Sequence, residues 1–192
     1  MGPLSSGQTC RVDCDMVRHF IAWPLGSFYD PMQRIGEIAL ARDQRRLAAI
    51  LAADVVGYSR LMGRDESGTV GRLRTIRKQH LEPVLARRGG RIVKLTGDGA
   101  LVEFSSAVEA LTAAIEFQQT ILDETRGQPE DQVILFRMGL HLGDLIVEED
   151  DLFGDGVNVA ARLEAEAPPG GILISRTVHE AVVGRMKASF EE

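Results

Sequence analysis

The sequence predicts an α+β sandwich, with helices laid on one face of a mainly antiparallel sheet. Three observations carry this. LAAILAA (47–53) is a short continuous apolar run stopped by Asp54, the pattern of a buried strand. RIVKLTGDGALVEF (91–104) has the form strand, turn, strand. VILFRMGLHL (133–142) alternates, with Ile134, Phe136, Met138, Leu140 and Leu142 on one face and Arg137 and His141 on the other. Helical patterns lie between these runs and give the order βα-ββ-αβ, a ferredoxin-like sandwich with extra elements.

The elements follow in order. A helix competes for 47–53 because alanine favours it, but VVGYS breaks the pattern within a few residues. Val70, Leu73, Ile76, Leu81, Val84 and Leu85 then recur at helical spacing until Gly89-Gly90 stops them. The other face of that helix carries Arg72, Arg74, Arg77, Lys78 and Arg87, a solvated basic stripe. The hairpin turns around Asp98-Gly99, a favoured turn pair. Val108, Leu111, Ile115 and Leu122 mark a second amphipathic helix ending near Gly127. Asp155 to Ala167 is helical and stopped by Pro168-Pro169. GILIS is a short strand and TVHEAVVGRM a closing helix.

Residues 1–43 read as an N-terminal extension or linker, mixing Gly, Pro, Ser and aromatics without sustained periodicity. MQRIGEIALARDQRR (32–46) supports at most a short connecting helix. Cys10 and Cys14 with His19 lack the remaining ligands of a zinc site, so the expectation is two reduced thiols. At 192 residues and 44% hydrophobic, the chain suits one ordinary domain with an extension. A net charge of −6 excludes the general basic face of a nucleic-acid binder. No apolar run approaches the roughly 20 residues of a membrane span, and no signal peptide opens the chain, which sets the expected compartment as cytoplasm.

Several polar residues sit where chemistry is possible, each with an ordinary alternative. Asp54 ends a buried strand, either as a cap or as a carboxylate that needs a partner. Asp98 is good turn chemistry. If the first strand lies beside the hairpin, both carboxylates reach one end of the sheet, an oxygen donor set suited to Mg²⁺ or Mn²⁺. Val55, Gly57 and Tyr58 follow at once, where Gly57 leaves room for a phosphate near a helix start. Lys94 interrupts an apolar strand and either snorkels or binds. Asn158 and Arg162 are four apart and share a helix face, either as surface or as site. Asp155 is explained as a turn or cap residue; Asp151 is less obviously placed.

The combination resembles the class III nucleotidyl cyclase catalytic domain, in particular the bacterial adenylate cyclases, from Arg45 to about Phe190. The resemblance implies that Asp54 and Asp98 bind two divalent metal ions, Mg²⁺ or Mn²⁺. It implies that Lys94 and Asp151 read adenine, that Asn158 and Arg162 orient the ribose and stabilise the transition state, and that Arg137 helps hold the polyphosphate. Guanylate-selective relatives carry Glu and Cys at the positions of Lys94 and Asp151, so ATP is the expected substrate. It further implies a catalytic domain at 44–192 acting in intracellular signal transduction. The partner would be a second copy in a head-to-tail homodimer, with sites at the interface. Family domains continue past this C-terminus with a strand pair bearing another phosphate-contacting lysine, so truncation is expected at SFEE. The alternatives are a guanylate cyclase and a catalytically silent dimerisation or nucleotide-binding module. A diguanylate cyclase is disfavoured, because Thr96-Gly97-Asp98-Gly99-Ala100 does not match its hairpin motif.

Overall fold

The computed structural model describes residues 44–129, 132–148, 151–186, 188 and 190. The cysteines, His19 and residues 32–43 of the expected connecting helix lie outside them; residues 44–46 begin a strand instead. In chain order the elements are β1 (Gln44–Val55), α1 (Tyr58–Arg64), α2 (Glu66–Ile76), a π-helical turn (Arg77–Leu81), α3 (Glu82–Arg88), β2 (Arg91–Leu95), β3 (Gly99–Phe104), α4 (Ala107–Thr125), β4 (Phe136–Glu148), β5 (Asp151–Phe153), α5 (Asp155–Glu166), β6 (Ile172–Ile174) and α6 (Arg176–Val182).

The apolar run of 47–53 is the centre of β1, as its short charged stop implied. The sheet runs β2-β3-β1-β4-β5, with antiparallel pairings throughout, and β6 joins β4 in parallel. This is the expected mainly antiparallel α+β fold. The helix expected before Gly89 is one run of helical turns that widens at Arg77–Leu81, just ahead of Pro83. Pro83 has no N–H to donate and crowds the preceding turn, which a π widening relieves. Gly89 ends the run at φ 70°, the left-handed cap glycine tolerates.

The main core fills one face of the sheet. Ala49, Leu51, Ala53, Val102, Phe104, Met138 and Leu140 meet Leu85, Leu111, Phe117 and Val178 from the helices, and Phe117 packs edge-on to Phe136 at 5.1 Å. The helices do not all share this face. α5 crosses the opposite one, over Ala48, Ile50, Ala52 and Leu145, with Ala160 and Val157 facing them. Gly139 makes this approach possible: a Cβ there would stand 2.2 Å from the carbonyl oxygen of Ala160 and from the Glu164 nitrogen. The two faces below are the core face and the α5 face.

Candidate active site

Register decides which side chains share the α5 face, because paired residues point to the same side of a sheet. Asp54 is paired with Gly99 on β3 and with Arg137 on β4. Ile50 and Ala52, on the same alternation of β1, pack beneath α5, so Asp54 and Arg137 point to that face. Arg137 Nη2 donates to Asp54 Oδ2 at 3.1 Å, and Nη1 donates to the Ala165 carbonyl at 3.1 Å. Glu164 Oε1 lies 3.3 Å from the same Nη2. The arginine thus ties the end of β1 to the last turn of α5.

The hairpin brings Asp98 to the same end. Thr96 accepts from the Gly99 N–H at 2.8 Å and sets the turn. A Cβ at Gly99 would meet the Ala53 carbonyl at 2.8 Å, so glycine lets β3 close on β1 beside Asp54. Burial pushes the Asp54 carboxyl above its usual range; the Arg137 bond opposes this, and the negative charge of Asp98 adds to the rise. Glu164 is also raised, first by burial and then by Asp54. Two half-buried carboxylates that repel one another, with only oxygen donors, fit a hard divalent cation. Among the described residues no group of three or more His, Cys, Asp or Glu is placed to hold a metal ion, here or elsewhere, so the protein side of this site is a carboxylate pair.

Gly57 takes φ 67° and opens α1. The backbone there is partly committed: the Val56 N–H donates to the Leu135 carbonyl at 2.9 Å. The Tyr58 hydroxyl reaches the hairpin, where a Cβ on Gly97 would lie 3.2 Å from it.

Lys94 reaches the α5 face through a β-bulge. Ile92 pairs with Val102, yet Lys94 pairs with Leu101, so the register shifts at Val93. Without that shift Lys94 would follow Ile92 onto the core face; with it, Lys94 shares the side of Leu101, which packs with the α5-face cluster. Its exposed position leaves it open to a ligand. Asp151 opens β5, paired with Glu148. β2 and β5 stand at opposite ends of the strand order, but the sheet curls until Cα atoms of the two strands lie within 8 Å.

Asn158 and Arg162 are exposed on α5. Arg162 and Glu164 are two residues apart, about 200° around the helix. Glu164 faces Arg137 of its own chain, so Arg162 lies on the far side. The structure therefore gathers Asp54, Asp98 and Arg137 and leaves Asn158 and Arg162 facing away from them. Sequence reasoning missed Glu164, whose role depends on α5 crossing a face expected to be bare. His141 lies on the α5 face with Nδ1 buried and without a hydrogen-bond partner. Burial lowers its pKa against the pull of Asp155.

This fold, with paired carboxylates at a strand end and a hairpin tip, defines a nucleotidyl cyclase catalytic domain of class III. Residues 41–192 match the family described as the adenylate and guanylate cyclase catalytic domain. The chain belongs to that family. It is 56% identical over 147 residues to the Rhizobium meliloti (strain 1021) protein named "Putative adenylate cyclase 3", covering 77% of this chain and 25% of that protein. The chain therefore spans about a quarter of that relative's length. A crystal structure of an adenylate/guanylate cyclase/hydrolase from Silicibacter pomeroyi matches with TM-score 0.73 and 45% identity, over 77% of this chain and 86% of that one. The guanylate cyclase domain of Catenaria anguillulae RhGC in complex with GTP shares the fold at TM-score 0.63 and 19% identity, over 73% of this chain and 85% of that one. Among the described residues no helix is long and apolar enough to cross a membrane.

Proposed function

We propose that this domain is an adenylate cyclase, converting ATP to 3′,5′-cyclic AMP and pyrophosphate as a head-to-tail homodimer in the cytoplasm. The observation that carries the reading is the joint placement of Asp54, Asp98 and Arg137 at one end of the α5 face. Two divalent ions, Mg²⁺ or Mn²⁺, held by Asp54 and Asp98, would supply Lewis-acid activation of the ribose 3′-hydroxyl and charge screening of the polyphosphate.

The chain's own groups do the rest. Arg137 exchanges its bond to Asp54 for the β- and γ-phosphates, a guanidinium-to-phosphate pairing of matching geometry. The backbone after Val55, whose side chain is buried in the core, leads with Gly57 and Tyr58 to the phosphate approach. Arg162 places a fixed cation where charge grows on the α-phosphate, and Asn158 orients the ribose. Lys94 donates to adenine N1 and Asp151 accepts from the exocyclic amine. No side-chain nucleophile is needed, and His141, unpartnered and held neutral by burial, serves packing.

The homodimer draws support from α5. One helix presents Glu164 to its own Arg137 and turns Asn158 and Arg162 outward. A partner's Asp54 and Asp98 would then complete each site. The test is formation of cyclic AMP and pyrophosphate in equal amounts from Mn²⁺-ATP, absent in Asp54→Ala.

A further inference from the structure

Behind the hairpin, on the core face, a cavity of about 300 Å³ opens between α2, the π-helical turn and the β2–β3 turn. Its floor is apolar: Ala53, Ala100, Phe117 and Phe136 line it. Leu95, at its edge, is 44% exposed, an apolar side chain without cover. Arg74 and Arg77, three residues apart and so on one side of the helix, also line it. Arg74 is exposed, and among the described residues no carboxylate pairs with it. Arg77 Nε is buried and makes no hydrogen bond, though the guanidinium forms an ion pair with Glu82 Oε1 at 3.5 Å.

We propose that this cavity binds a small monocarboxylate with an apolar body, its head held by Arg74 and Arg77 and its tail on the Phe117–Phe136 floor. An apolar enclosure with a few convergent polar groups is the usual form of a small-molecule site. The Arg74 guanidinium, with Arg77 beside it and shared with Glu82, favours an anionic head at this wall, and the apolar floor favours a ligand with an apolar body. The cavity lies on the other side of the sheet from Asp54, because Ala53 and Ala100 point to the core face and Asp54 to the opposite one, but Tyr58 and the hairpin border both places. It is also adjacent in the chain: Ala53 precedes Asp54, and Asp98 itself lines the cavity. An occupant braces the hairpin that carries Asp98, which makes the cavity a place for regulation by a metabolite acid.

Calorimetric titration of the full chain with sodium octanoate and with octanamide tests this without reference to turnover. Octanoate should bind at one site, and octanamide, equal in apolar body but uncharged, roughly tenfold or more weakly, the loss expected for a charge-assisted hydrogen bond. Arg74→Gln with Arg77→Gln should bring octanoate down to the octanamide level. Val70→Trp, which fills the cavity from α2, should abolish binding of both while circular dichroism stays unchanged. No octanoate binding, equal binding of the two ligands, or octanoate binding unaffected by the paired arginine variant would each overturn the proposal.

Discussion

Arg137 on β4 and Asp54 on β1 stand directly opposite one another in the antiparallel register and share a 3.1 Å hydrogen bond. The proposed phosphate-binding cation is thus paired with one of the proposed metal-binding carboxylates. Burial opposes ionisation of that carboxylate, and Arg137 offsets only part of the effect. A nucleotide arriving with its cations would relieve both groups, since each would exchange the other for a partner of higher charge.

Asp54→Asn and Asp98→Asn should each lower turnover roughly 100-fold or more, the scale of losing one fixed electrostatic contact to a transition state. Stability should not follow. A carboxyl whose folded pKa lies above its unfolded value costs stability as pH rises from 3.8 through the folded value, so at pH 7.5 the ionised Asp54 is a burden. Asp54→Asn should melt at or above the wild-type temperature in differential scanning calorimetry. A clearly lower Tm would show that the Arg137 pair outweighs burial.

Complementation reads the dimer. Asp54→Ala and Arg162→Ala should each be inactive alone, because each spoils both symmetric sites. Mixed, the heterodimer has one site with both defects and one with neither, so activity should partly return, approaching a quarter of wild type for random exchange with equal amounts. Recovery is measured as pyrophosphate release after subunit exchange has been followed by a fluorescent label. No recovery after proven exchange would place both residues in one protomer's site.

His141 should show itself in stability against pH. Its folded pKa is below the unfolded 6.5, so the unfolded chain takes up a proton first, and stability is lost as pH falls through 6.5 toward the folded value. Asp155 on α5 opposes the shift, and Gly143 and Gly156 are the close neighbours of the ring. His141→Gln removes the titration, so any Tm advantage of wild type over the variant at pH 7.5 should shrink toward pH 5. The variant should keep most of the wild-type turnover. Loss of turnover with an unchanged melting profile would make His141 part of the chemistry.

Much of this was legible in the residues. Alternation in β4 correctly sent Phe136, Met138 and Leu140 to one face and Arg137 to the other, because a period of two leaves no choice. Gly89 stopped its helix where expected. Three features were not legible. The bulge at Val93 follows from how β2 fits β3, and nothing in RIVKL itself announces that Lys94 changes faces. The crossing of α5 depends on Gly139 meeting Ala160, residues twenty-one apart, so Glu164 had no local sign of its contact with Arg137. The approach of β2 to β5 arises from sheet curl, a property of the whole sheet. Asp54, Asp98, Asn158 and Arg162 were singled out by type and spacing, and their proposed metal, ribose and transition-state roles await the experiments above.

Base preference tests the adenylate cyclase reading most directly. Adenine offers an amine and an acceptor N1, whereas guanine offers a carbonyl and a protonated N1. Guanine would set its carbonyl against Asp151 and its N1 proton against Lys94, and each mismatch costs on the order of 1–3 kcal/mol. With ATP and GTP in competition at saturating Mn²⁺, the ratio of kcat/KM should favour ATP by roughly tenfold to a hundredfold or more. Lys94→Glu with Asp151→Cys should cut ATP turnover and narrow or reverse that ratio. Equal use of the two nucleotides by the wild-type chain, or a preference for GTP, would contradict the assignment.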